Sequence, residues 1–169
     1  MISTVCQIPV FRMTSRLGAL VLLAFLPGSA RAQGPGARYI NPPGLTKPAG
    51  YTHVVVAPDG RTVYIAGQVA FDSTGKVVGV GDFRAQADQV FANLRRALAS
   101  VGGSFADVLK TTTFITDIAQ VPTIREIRAR YLDPAGSPAN TLVAVASLAR
   151  PDLLIEIEAV AVLRSPVNP

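Results

Sequence analysis

The stretch "LLIEIEAVAVL" from Leu153 to Leu163 sets two carboxylates, Glu156 and Glu158, inside an otherwise apolar run. Read as a strand, it sends successive side chains to opposite faces. Glu156 and Glu158 then share one face with Val160 and Val162, ~7 Å apart. Ile155, Ile157, Ala159, Ala161 and Leu163 share the other. If the acidic face is buried against a partner, loss of water and mutual repulsion both disfavour ionisation. A carboxylate held in that way can act as a general base or orient an attacking water. The same pair also fits a solvated strand edge, or a structural hydrogen bond to backbone.

Other reactive groups are few. His53 is the only histidine, so no histidine cluster can hold a metal. It reads as a strand-surface residue. Cys6 is the only cysteine. "DSTGK" looks like part of a phosphate loop, but Lys76 is followed by Val77 where Ser or Thr is required. "GVGDFR" has Arg84 in place of the third glycine of a dinucleotide fingerprint. Both are read as turns.

The N-terminus carries a different message. Arg16 precedes an apolar run from Leu17 to Leu26, Pro27-Gly28 break it, and Ala30-Arg31-Ala32 fits an A-x-A cleavage site. Residues 1–32 are read as a secretory signal peptide, with Met13 as an alternative start. The run is shorter than the ~20 residues a spanning helix needs. Removal takes Cys6 with it, leaving no thiol for a disulfide, a metal or a nucleophile. The expected location is periplasmic or secreted, with no membrane attachment after cleavage. Of 16 Lys and Arg, three (Arg12, Arg16, Arg31) leave with the segment, so 13 remain against 11 acidic residues. That balance argues against a nucleic-acid partner.

The elements that must position Glu156 follow from pattern. Residues 33–50 are rich in Gly and Pro and read as an extended lead-in. Two β-rich runs around Pro58-Asp59-Gly60 read as a hairpin. Asp82 can cap a helix whose apolar positions run from Phe83 to Val101, stopped by Gly102-Gly103. "DVLKTTTFITDI" is β-branched throughout and reads as a strand. Pro122 opens a shorter helix through Ile124, Ile127 and Tyr131. "NTLVAVASL" and "LLIEIEAVAVL" complete a ββαβαββ order. The expected fold is α+β, one mixed sheet with both helices on one face. The apolar residues on its other face suggest burial against another subunit.

"YIAGQVA", "GGSFADVLKTTTFITDI" and "LIEIEAVAV", in this order and spacing, resemble the RidA family, also called YjgF or endoribonuclease L-PSP. The match covers about Tyr51 to Arg164, and the RidA-like domain is placed at 51–165. The resemblance implies a chorismate-mutase-like homotrimer, with helices outside, sheets around a central barrel and sites in clefts between subunits. It implies hydrolysis of small-molecule enamines or imines to carbonyl compounds and ammonia, with no metal or organic cofactor. Carried over by position, Glu156 would activate or orient the water, and Tyr51 and Gly67 would line the substrate site. Ala66 stands before Gly67 and Gln68 where serine is usual. In the deaminase branch an arginine after "PA" grips the substrate carboxylate. Asn140 stands there instead, and Leu142 replaces a common cysteine. An asparagine offers neutral hydrogen bonds but no charge. Arg125, on the second helix, is a candidate replacement, although it also reads as a solvated helix residue. The lost cation leaves a second reading open, a non-catalytic small-molecule-binding trimer on the same scaffold. RNA cleavage follows only from the older family label.

Overall fold

The computed structural model of the chain describes residues 36–164. The expected signal segment, with Cys6 and Met13, lies outside the described residues. Strands are β1 (Arg38–Ile40), β2 (Val54–Val56), β3 (Arg61–Gln68), β4 (Val108–Ile115), β5 (Ala139–Ala144) and β6 (Ile155–Leu163). Helices are α1 (Phe83–Ser100) and α2 (Val121–Arg128).

Helix α1 starts where the sequence places its cap. Asp82 has an extended backbone, and its Oδ1 accepts from Ala85 N at 3.1 Å. The helix buries Phe83, Ala87, Val90, Phe91, Leu94 and Leu98. It ends at Gly102, whose φ of 78° lies in the left-handed region that favours glycine. Helix α2 has Pro122 in its first turn and buries Ile124, Ile127 and Arg128. It stops before Tyr131, because the chain tightens there: Arg130 N bonds Ile127 O and Tyr131 N bonds Arg128 O. Tyr131 still reaches the core and stacks on Phe91, with ring centroids 4.6 Å apart.

The main sheet has the order β3-β6-β4-β5. Its β3/β6 and β6/β4 pairs are antiparallel and its β4/β5 pair is parallel, so the sheet is mixed. The core fills the space between its helix-side face and the helices, through Ile65, Ile115, Ile155, Ile157, Val90 and Leu94. This is the α+β arrangement expected from the pattern.

The first hairpin differs from expectation. β2 pairs not with β3 but with β1, from the lead-in, in the register Arg38↔Val56 and Ile40↔Val54. Pro58 has no N–H to extend a β2–β3 ladder. Gly60 also passes against Leu163 O, with no room there for a Cβ, so the chain enters β3 along the end of β6. The lead-in therefore contains a strand. His53 N donates to Asn41 Oδ1 at 3.0 Å, and the Thr46 carbonyl accepts from His53 Nε2 at 2.8 Å. The lone histidine thus holds the lead-in to the domain.

Candidate functional site

Glu156 sits in β6 opposite Phe114 of β4. The Ile155, Ile157 and Ala159 side chains are buried on the helix side, so Glu156 and Glu158 share the open face. On the other flank, β3 carries a bulge. Ile65 pairs with Ala159 and Gln68 with Ile157, so Ala66 and Gly67 together oppose Glu158 alone. The bulge brings Gly67 directly under the Glu156 carboxylate: a Cβ on Gly67 would collide with Oε1, Cδ and Cγ of Glu156. Gly67 does not have a positive φ. Glycine is required here for space rather than for backbone conformation. Two of the expected site residues, Gly67 and Glu156, therefore meet within one chain, and Glu156 is half-buried.

The same face holds Lys110 and the second glutamate. Lys110, Glu158, Tyr64, Thr112 and Val160 line an open cavity of about 360 Å³. Lys110 Nζ donates to Thr111 O and to Thr141 Oγ1, both at 2.8 Å. Burial holds the Lys110 ammonium below its ordinary range, while the Glu158 charge acts the other way. Glu158 itself is exposed. The two glutamates thus differ in setting, one seated on a glycine and the other facing a lysine across an open cavity.

Tyr51 and Asn140 belong to another corner. Thr52 is buried; its N–H donates to Pro138 O at 3.2 Å and its Oγ1 to Ser137 O at 2.6 Å. These bonds fasten the Gly50–Thr52 segment to the entry of β5. Tyr51 packs edge-on against His53, with ring centroids 5.2 Å apart. Asn140 pairs in register with Thr111, on the helix side of the sheet. Its Oδ1 accepts from Thr111 Oγ1 at 2.8 Å and from Thr113 Oγ1 at 3.4 Å. Within one chain, then, Asn140 and Glu156 lie on opposite faces of the sheet. A cleft using both needs two chains.

Arg125 is exposed on α2. Its neighbour Arg128 is not: only 8% of that residue is accessible. Its guanidinium packs against Gly50, where a Cβ would stand 2.8 Å from Nη2. Burial, and then the charge of Arg125, hold the guanidinium below its ordinary range. No carboxylate pairs with it among the described residues. The sequence carried a signal for this residue: position 128 falls four after Ile124, on the buried stripe of α2. An arginine on that stripe is a charge placed where an apolar side chain is the rule.

Among the described residues, no three His, Cys, Asp or Glu side chains converge to hold a metal ion.

Comparison with known proteins places these features in a wider set. The Endoribonuclease L-PSP family model matches residues 44–163. A RutC family protein of Synechocystis is 38% identical over 117 residues, covering 69% of this chain and 88% of that protein. The 3-aminoacrylate deaminase RutC of Acinetobacter baylyi is 37% identical over 116 residues, covering 69% and 90%. Among solved structures, the conserved Rid family protein YyfB of Yersinia pestis superposes with a TM-score of 0.70 at 39% identity, covering 76% of this chain and 99% of that one.

Proposed function

We propose a function from one premise: the chain belongs to the endoribonuclease L-PSP family, which is the RidA and YjgF family of the resemblance. On that premise it is an exported hydrolase of reactive enamines and imines, working as a homotrimer with its sites between subunits. The observation that carries the reading is the seat of Glu156. A bulged strand and a glycine without alternative hold one carboxylate on the open sheet face, where a second copy completes a cleft. The name of the RutC relative, a 3-aminoacrylate deaminase, supports the reaction class.

In the reaction, an enamine first takes a proton at carbon and gives one up from nitrogen, which makes it an imine. Glu156 accepts a proton from water as the water oxygen bonds to the imine carbon. The nitrogen takes up that proton as the carbon–nitrogen double bond opens to a carbinolamine; it then takes the hydroxyl proton, the carbon–nitrogen bond breaks, and ammonia leaves as the carbonyl forms. The products are a carbonyl compound and ammonia. A positioned carboxylate contributes ~10²–10⁴-fold to such a step. Incubating residues 33–169 with enzymatically generated 2-iminopropanoate and neutral imines, and following their decay, tests the reading. Acceleration that falls at least ~100-fold in Glu156→Gln is expected; decay at the buffer rate for every imine refutes it.

Asn140 favours a second reading, a non-catalytic binding trimer, because it brings no charge to a substrate carboxylate: its Oδ1 accepts from two threonines and only the neutral Nδ2 is left to donate. A ligand that raises Tm by mass action but is never turned over would select it.

A further inference from the structure

We propose that Arg128, from α2, is the cation that receives a small carboxylate in this chain, at the corner formed by Gly50, Tyr51 and the entry to β5. The inference takes the location of the substrate from the proposed function, but it does not depend on turnover.

Three observations converge on it. Position 140 carries no charge, and its Oδ1 is committed to Thr111 and Thr113. Arg128 is a residue more than nine-tenths buried, and its charge has neither an ion pair nor a hydrogen bond among the described residues. No fully enclosed side-chain nitrogen or oxygen among the described residues lacks a partner, so the guanidinium nitrogens of Arg128 keep a path to solvent. The third observation is position. The guanidinium lies on Gly50, next to Tyr51, and the bonds from Thr52 to Ser137 and Pro138 hold this segment against the start of β5. Asn140 follows Pro138 by two residues, ~7 Å along the strand.

A buried charge without a counter-ion is unfavourable unless something completes it. Arg125 adds repulsion from the same helix. An arriving carboxylate relieves both, and a guanidinium offers it two parallel N–H donors. The site therefore selects small carboxylates by charge and fork geometry, with the arginine reaching from the helix rather than from the strand.

The test uses pyruvate as the charged probe and methyl pyruvate as its uncharged counterpart. Binding of both to the purified protein is measured by calorimetry for the parent, Arg128→Gln, Arg128→Lys and Arg125→Ala. Pyruvate is expected to bind about ten- to a hundredfold more weakly to Arg128→Gln. Arg128→Lys falls between, since it keeps the charge but loses the fork. Arg125→Ala and the methyl ester are expected to show little change. Because a buried arginine can also matter for folding, the parent protein is examined in parallel by NMR, with the Arg128 Nε–Hε resonance expected to shift on adding pyruvate. Undiminished pyruvate binding in folded Arg128→Gln overturns the inference, as does a parent that binds no pyruvate. An Arg128 resonance that stays still while pyruvate binds elsewhere also overturns it. Arg128-dependent binding without imine hydrolysis keeps the inference and removes the hydrolase reading. Hydrolysis with Arg128-independent binding does the reverse.

Discussion

At the scale of single residues, Gly67 and Glu156 are one unit. The glycine is required by the carboxylate above it, not by its own backbone angles. Gly67→Ala must push the Glu156 side chain aside or displace the bulge, at a cost of ~1–3 kcal/mol for an overpacked contact. The expected outcome is a lower Tm together with a loss of imine hydrolysis. Shortening the acid makes room, so the stability cost of Gly67→Ala should shrink in a Glu156→Asp background. A double-mutant cycle by urea denaturation measures that coupling, expected to exceed ~0.5 kcal/mol. Additive costs would mean that the two residues do not share space in solution.

At the scale of elements, α1 is tied to the strands by more than apolar contact. Gln86 has no exposed surface. Its Nε2 donates to Asp152 O at 2.7 Å and to Gly79 O at 3.2 Å, and its Oε1 accepts from Leu154 N at 2.8 Å. One amide thus joins the turn before α1, the helix itself and the chain entering β6, and so fixes the start of the strand that carries Glu156. Gln86→Leu keeps much of the volume but removes the partner of the Leu154 N–H and of the Asp152 carbonyl, while Gly79 O keeps its bond from Asp82 N. The loss should be on the order of 1–3 kcal/mol for the unsatisfied Leu154 N–H alone. Thermal unfolding checks this, and a variant as stable as the parent would show that water replaces the amide.

At the scale of the whole molecule, one sheet face has a cover and the other does not. The helices lie on the Ile155 side. On the open side Tyr64 is 80% exposed and Val143 39%, an arrangement that suits a sheet packed on copies of itself. Glu156 and Asn140 add a geometric reason, since one chain cannot bring opposite faces of its sheet to one ligand. Light scattering of residues 33–169 is expected to give three times the chain mass. Tyr64→Glu, which puts a charge on the open face, is expected to release monomers with little residual hydrolysis. A parent that stays monomeric at micromolar concentration would defeat both the trimer and the shared cleft.

Local chemistry makes much of this legible in the sequence alone. The cap at Asp82, the stop at Gly102, the β-branched run of β4 and the alternation of β6 each depend on near neighbours in the chain, and each stands where the pattern put it. The pairing of Gly67 with Glu156 could be anticipated only through family resemblance. Its cause, a bulge that sets two residues of β3 against one of β6, depends on register between strands about ninety positions apart. The partner of β2 was beyond local pattern for the same reason: β1 and β3 both offer a free edge, and the path of the chain past Leu163 determines which one is used. Arg128 and Arg125 are alike in composition and differ only in the face of α2 they occupy. The packing of that helix against the Gly50 segment buries one arginine and leaves the other in water. Sequence thus determined the elements from β2 onward and the family, because those rest on near-neighbour periodicity and composition. Tertiary structure decided which charges are buried and which carboxylate has a seat, because desolvation and close approach arise only when distant segments pack.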